Sequence, residues 1–111
     1  MTTRIKLVRG DTSPQIRLAL TDSATNQPIN LTGATVTLHF RATDTDTVLF
    51  SRPAMINPET ATTGVCIIQW EDDDLDVDAG NYEGEVEVVR STGARETIYD
   101  LLKFRVRDDI A

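Results

Sequence analysis

The feature that most constrains this chain is alternation. Apolar side chains recur at every second position in short runs, and each run is cut off by Gly, Pro, Asn or Asp. That period belongs to strands with one buried face, and no useful length of sequence repeats at the helical period. The clearest run covers residues 35–41, with Val36, Leu38 and Phe40 on one side and Thr37, His39 and Arg41 on the other. Residues 81–89 set Tyr82, Val86 and Val88 against Glu83, Glu85 and Glu87. Weaker runs predict strands over 3–8, 15–21, 47–52, 95–99 and 102–107. The stretch 64–70 is apolar on both faces at its start, which predicts a central strand or one whose outer face meets something. The acidic residues 71–78 are too charged for a strand and predict one helical turn with Leu75 tucked beneath. Residues 58–63 read as a loop. Short strands separated by turn residues predict an all-β sandwich of roughly seven to nine antiparallel strands.

Size and charge narrow the class. A chain of 111 residues suits one domain over residues 1–111. Its formal charge of -7 argues against gripping nucleic acid phosphates or an anionic membrane, which need clustered Lys and Arg. Cys66 is the single cysteine, so no disulfide forms within the chain. The longest apolar run, Val65, Cys66, Ile67 and Ile68, is far below a membrane span. The first residues mix charges into the place where a secretory signal needs an apolar core.

One motif makes the fold more specific. Asp78, Ala79, Gly80, Asn81 and Tyr82 place a tyrosine at the head of the best alternating strand, just after an acidic turn. In immunoglobulin-like sandwiches such a tyrosine bonds back to the backbone upstream, at a corner between two strands. The second cysteine of antibody domains would fall two residues after Tyr82, where this chain has Gly84. The expectation is therefore an immunoglobulin-like sandwich without the inter-sheet disulfide.

Three stretches in order carry a family resemblance. They are residues 9–14 (Arg-Gly-Asp-Thr-Ser-Pro), residues 28–36 (Pro-Ile-Asn-Leu-Thr-Gly-Ala-Thr-Val), and Trp70 followed by residues 76–82 (Asp-Val-Asp-Ala-Gly-Asn-Tyr). Together they resemble the N-terminal domain of bacteriophage baseplate upper proteins, an immunoglobulin-like module of tail and receptor-binding assemblies. Within the resemblance, Gly10 and Pro14 frame a turn, Gly33 takes a positive backbone angle, and Trp70 supplies apolar surface beside the corner. The resemblance implies a virion structural protein, made in the bacterial host cytoplasm, that docks onto other virion proteins or onto its own copies. Because the chain ends just after its last strand, the expectation is an attachment or building piece rather than a receptor binder. A capsid or neck decoration protein is an alternative within that class. A carbohydrate-binding sandwich is an alternative outside it.

Asp72, Asp74, Asp76 and Asp78 offer oxygen ligands for calcium, but an EF-hand loop from Asp74 would put Ala79 where a glycine is needed and Glu85 inside a strand. A solvated acidic turn is the expected role. His39 is the one histidine, and Cys66 lies in an apolar strand where a thiol is usually inert. The expectation is no enzyme, with no catalytic, cofactor-binding or metal-ligating residue. Asn30 and Thr32 fit a glycosylation sequon by chance. Glu83, Glu85 and Glu87 predict a negative stripe on one sheet face, for solubility or for a basic partner.

Overall fold

The computed structural model describes residues 4–13, 15–22, 24–98 and 101–110. Among them are eight strands: β1 (Arg4–Val8), β2 (Ile16–Ala19), β3 (Thr35–Ala42), β4 (Phe50–Pro53), β5 (Val65–Ile68), β6 (Gly80–Val89), β7 (Arg95–Thr97) and β8 (Leu102–Arg107). The larger sheet runs β1-β8-β6-β3-β4, with β7 also on β6. The smaller sheet is β2-β5. The fold is thus an all-β sandwich, as the alternation predicts.

β6 is the spine. From Tyr82 to Val89 it pairs with β3, with Ala42 opposite Tyr82 and Thr35 opposite Val89. Its other edge is shared: Gly80 to Gly84 face β8, and Glu87 to Val89 face β7. β7 and β8 therefore follow one another along that edge. Of the strand predicted over 95–99, the described part is Arg95–Thr97, and Tyr99 lies outside the described residues. β5 has neighbours on both sides, β2 on one and Met55 on the other, where Met55 and Ile67 exchange backbone bonds of 2.8 and 3.0 Å. That placement makes it a central strand, the first of the two predicted settings.

Four expectations are corrected. β1 pairs with β8 in parallel, not antiparallel, because alternation fixes which face a residue takes but not which way its neighbour runs. Residues 71–78 form turns rather than a helical turn; Asp74 N–H reaches the Glu71 carbonyl and Asp76 N–H the Asp73 carbonyl. Leu75 is nonetheless fully buried. The loop at 58–63 contains a short 3-10 turn, Ala61–Thr63. β4 is also shorter than predicted, since the return from the turn at Asp44 becomes regular only at Phe50.

Aromatic rings fill the centre. Phe40 stacks on Phe50 at 4.8 Å and on Tyr82 at 5.1 Å between centroids, and Trp70 meets Phe40 and Phe104 edge-on at 5.8 and 5.9 Å. Gly84 lies beneath this cluster. A β-carbon there would sit 2.6 Å from Leu38 Cδ1 and 3.0 Å from Phe104 Cε2. The place that a disulfide occupies in antibody domains is filled here by two neighbouring apolar side chains.

Candidate functional site

The tyrosine corner forms as its motif predicts. Tyr82 Oη donates to the Asp78 carbonyl at 2.5 Å, four residues upstream. Burial, then the nearby Asp78 carboxylate, raises the Tyr82 pKa, so the hydroxyl stays a donor. Removing that hydroxyl in Tyr82→Phe leaves a carbonyl to find water. We expect a loss of about 1–2 kcal/mol in denaturant unfolding with an unchanged far-ultraviolet spectrum.

The corner belongs to one end of the sandwich, where three distant pieces of chain meet. Gly10 N–H donates to the Leu75 carbonyl at 3.0 Å, and Gly10 has φ +85°. Arg9 Nε donates to Asp76 Oδ1 at 3.2 Å, and its Nη1 lies 3.7 Å from both Asp78 and Asp108. Gln69 Nε2 donates to the Thr12 carbonyl at 2.9 Å. The first and third stretches of the sequence resemblance are thus one structural unit. Pro14, the other residue framing that turn, lies outside the described residues. At the opposite end, Gly33 has the positive φ expected of it, +72°, and Asn30 Oδ1 accepts from Thr32 N–H at 3.0 Å.

Three of the four aspartates considered for calcium are engaged with arginines. Asp74 is buried; its Oδ2 accepts from Arg52 Nε at 2.8 Å and its Oδ1 from Arg52 Nη2 at 2.6 Å. Glu71 N–H adds a third bond to Asp74 Oδ2 at 2.8 Å. Arg52 also pairs with the Glu71 carboxylate. Asp76 and Asp78 face Arg9, and Asp72 is exposed. Among the described residues no three His, Cys, Asp or Glu side chains are grouped to hold a metal ion.

The predicted negative stripe is not a bare one. Glu83 is buried between two cations: Arg41 Nε donates to its Oε1 at 2.8 Å and Lys103 Nζ to its Oε2 at 3.0 Å. Glu87 lies 3.6 Å from Arg95 and 3.8 Å from His39. Only Glu85 of the three is exposed. Reading β6 alone shows three acids; the cations arrive from β3, β7 and β8 across the sheet. The Lys103 bond first, and the Arg41 bond after it, lower the Glu83 pKa below its ordinary value. Its charged form therefore stabilises the fold above the unfolded carboxylate value of about 4.3, and that contribution is lost as pH falls through the folded value. We expect the stability gap between wild type and Glu83→Gln to be widest near neutrality and to close in acid, read from urea titrations across pH.

His39 has a serine partner that the sequence did not reveal. Its Nδ1 lies 2.7 Å from Ser51 Oγ, across the β3–β4 pair. Hydrolytic triads need a carboxylate bonded to the base and donors aimed at the developing oxyanion. Glu87 stands beyond hydrogen-bond distance of His39 and turns its other oxygen toward Arg95. The cluster reads as cross-strand polar packing.

Cys66 is buried, and burial pushes its thiol up to about 11. We expect it to resist alkylation at pH 8 in the folded protein and to react once denatured, by mass spectrometry. Phe40, Trp70 and Phe104 are fully buried and Tyr82 nearly so, so these rings offer no stacking platform for a sugar. No helix among the described residues is long and apolar enough to cross a membrane. Comparison with family models, curated proteins and solved structures finds no match to this chain.

Proposed function

We propose that the chain is a structural component of a bacteriophage virion, an immunoglobulin-like tail or baseplate module or small appendage that works by docking to other virion proteins. The observation that supports this reading is the contact of Arg9 with Asp76 and Asp78, beside the bond from Tyr82 to the Asp78 carbonyl. Two of the three stretches that resemble the baseplate module are far apart in sequence, and their Arg9, Asp76 and Asp78 side chains meet beside the tyrosine corner. The second support is the charge arrangement: the exposed face of the larger sheet is a lattice of paired acids and bases, built for stable display rather than for a reaction.

The carbohydrate-binding alternative loses ground because it needs exposed rings, and the described aromatics turn inward. The decoration-protein alternative shares the docking mechanism and differs only in location. Native mass spectrometry and electron microscopy of purified particles from the source test the proposal. The expected result is this chain as a stoichiometric component. Its absence from every tail and virion preparation overturns the reading.

A further inference from the structure

We infer that a second copy of this chain docks alongside the first, with the acidic β3–β4 turn of one copy seated on a basic margin of the larger sheet of the next. The contact is head to tail, so each copy offers one surface of each kind. This goes beyond the docking proposal and does not rest on it.

The basic margin is built by register. Arg4 and Lys6 on β1 stand opposite Lys103 and Arg105 on β8, and Val8 stands opposite Arg107. Partners in register share a face, and the buried Leu7, Phe104 and Val106 take the other one. Lys103 is engaged with Glu83. Arg4, Lys6, Arg105 and Arg107 are exposed, and among the described residues none of the four makes an ion pair. The two arginines donate only to neutral oxygens, Asn81 Oδ1 at 3.4 Å and the Asp108 carbonyl at 2.9 Å. In a chain of net charge -7 acids are plentiful, yet four cations about 5–7 Å apart on the strand lattice are left unpaired.

The acidic surface is the turn that joins β3 to β4. Asp44 and Asp46 are exposed and make no ion pair among the described residues. The two surfaces lie at opposite margins of one sheet, whose order is β1-β8-β6-β3-β4. They also lie near the same level. Thr43 N–H donates to the Asn81 carbonyl at 3.1 Å, Asn81 stands opposite Arg105, and Arg105 stands opposite Lys6. A copy set alongside therefore brings its turn to the cations without being inverted. Apolar surface accompanies both. Val48 and Leu49 follow the turn, each about half exposed, while half-buried Val8 is in register with Arg107 and exposed Ile110 lies just beyond it in sequence.

Charge complementarity selects this occupant. A symmetric dimer through the margins would set cations against cations, and one through the turns would set acids against acids. The heterologous arrangement pairs both. Such a contact repeats from copy to copy and yields a ring or an open filament. A nucleic acid backbone suits the margin less well. The cations span two strands, and exposed carboxylates border them, Glu85 on β6 and Asp108 after Arg107, which repel a polyanion continuing past the patch. Solvated ion pairs are individually weak, so the contact is loose between free copies and tightens where many copies are held together.

The test uses the full chain, by sedimentation and by NMR of isotope-labelled protein across a dilution series. At about 1 mM protein in about 50 mM salt the average mass should exceed that of the monomer. Dilution should shift signals at both surfaces, at Lys6, Arg105 and Arg107 and at residues 44–49. Raising salt to about 0.5 M should weaken association by at least about 10-fold. Two variants at exposed positions supply the decisive comparison. Asp44→Asn with Asp46→Lys removes the acidic turn, and asparagine tolerates the φ of +66° at that site. Arg105→Glu with Arg107→Glu reverses the margin. Each variant alone should be monomeric with an unchanged far-ultraviolet spectrum. In equal mixture they should associate again, because the intact margin of the first meets the intact turn of the second. Four results would each overturn the inference: a monomer at about 1 mM wild-type chain, association indifferent to salt, dilution shifts at one surface only, or a mixture that stays monomeric. Particle proteomics judges the virion reading separately, since self-association is measured on the purified chain.

Discussion

Gly64→Ala should be among the most damaging single-methyl changes in this protein. Gly64 follows the turn Ala61–Thr63 and leads into β5 with φ +76°. An added β-carbon meets two independent obstacles. The left-handed backbone costs an L-residue about 1–2 kcal/mol by itself. The methyl would also collide with the Leu20 carbonyl oxygen and crowd the backbone of Ile29 at 3.2 and 3.3 Å. Those atoms are backbone, held by Leu20 N–H on Gly64 O and Ile29 N–H on Leu20 O, so neither can swing aside. We expect a loss of about 3–4 kcal/mol, with the melting temperature falling by at least about 10 °C. Gly10→Ala is the internal control. It has a similar φ of +85° but nothing within 4 Å of the new carbon. It should cost about 1 kcal/mol, the backbone contribution without the collision. Equal losses at the two sites, measured by urea unfolding, would mean that the Leu20 carbonyl moves freely and that the junction of β2 and β5 is softer than described.

The contrast between these glycines also shows what a sequence can and cannot disclose. Gly10 and Gly33 stand in visible turn motifs, and the positive backbone angle of Gly33 was foreseeable. Gly64 reads as a simple strand start, because its crowding comes from Leu20 and Ile29, residues that alternation places in other elements. The same division runs through the molecule. Val36, Leu38, Phe40, Val86 and Val88 are buried where period two puts them. The bond from Tyr82 to Asp78 was legible because both partners sit in one short segment with a known geometry. Glu83 was legible only as far as its outward direction. Its burial depends on Arg41 from one neighbouring strand and Lys103 from another, and pairing partners are not written in β6. The parallel contact of β1 with β8 is further still from view, since it joins the two ends of the chain. Local periodicity fixes faces, and the facing strands then decide which outward charges are bare.

The acidic segment makes the same point with a measurable consequence. Asp74→Ala should destabilise the protein by about 2–4 kcal/mol, while alanine at Asp72 should change little. Both are aspartates in one run, but Asp74 accepts two bonds from Arg52 and one from Glu71 N–H, whereas Asp72 is exposed. The Arg52 side chain is only 20% exposed and lies 5.9 Å over the Phe50 ring, so it cannot fully rehydrate when its partner is removed. Deleting one member of a buried pair costs more than the pair contributes, because the other charge is stranded. The remaining Glu71 carboxylate offsets part of that loss, which is why the expected figure lies at the lower end of the range for such pairs. The double variant Arg52→Met with Asp74→Ala removes both charges and should recover much of the stability, giving a coupling of about 1–3 kcal/mol. Salt separates this clasp from its neighbour. The pairs of Arg9 with Asp76 and Asp78 are exposed and should fade in about 1 M salt, whereas the Asp74 effect should persist. Trp70, which lines the same depression as Arg52 and Asp74, gives an optical readout. A red shift of its emission in Asp74→Ala is expected as residues 71–74 loosen over it. Additive single losses, or an Asp74 effect that vanishes in salt, would show that the acidic turn holds its place without the arginine.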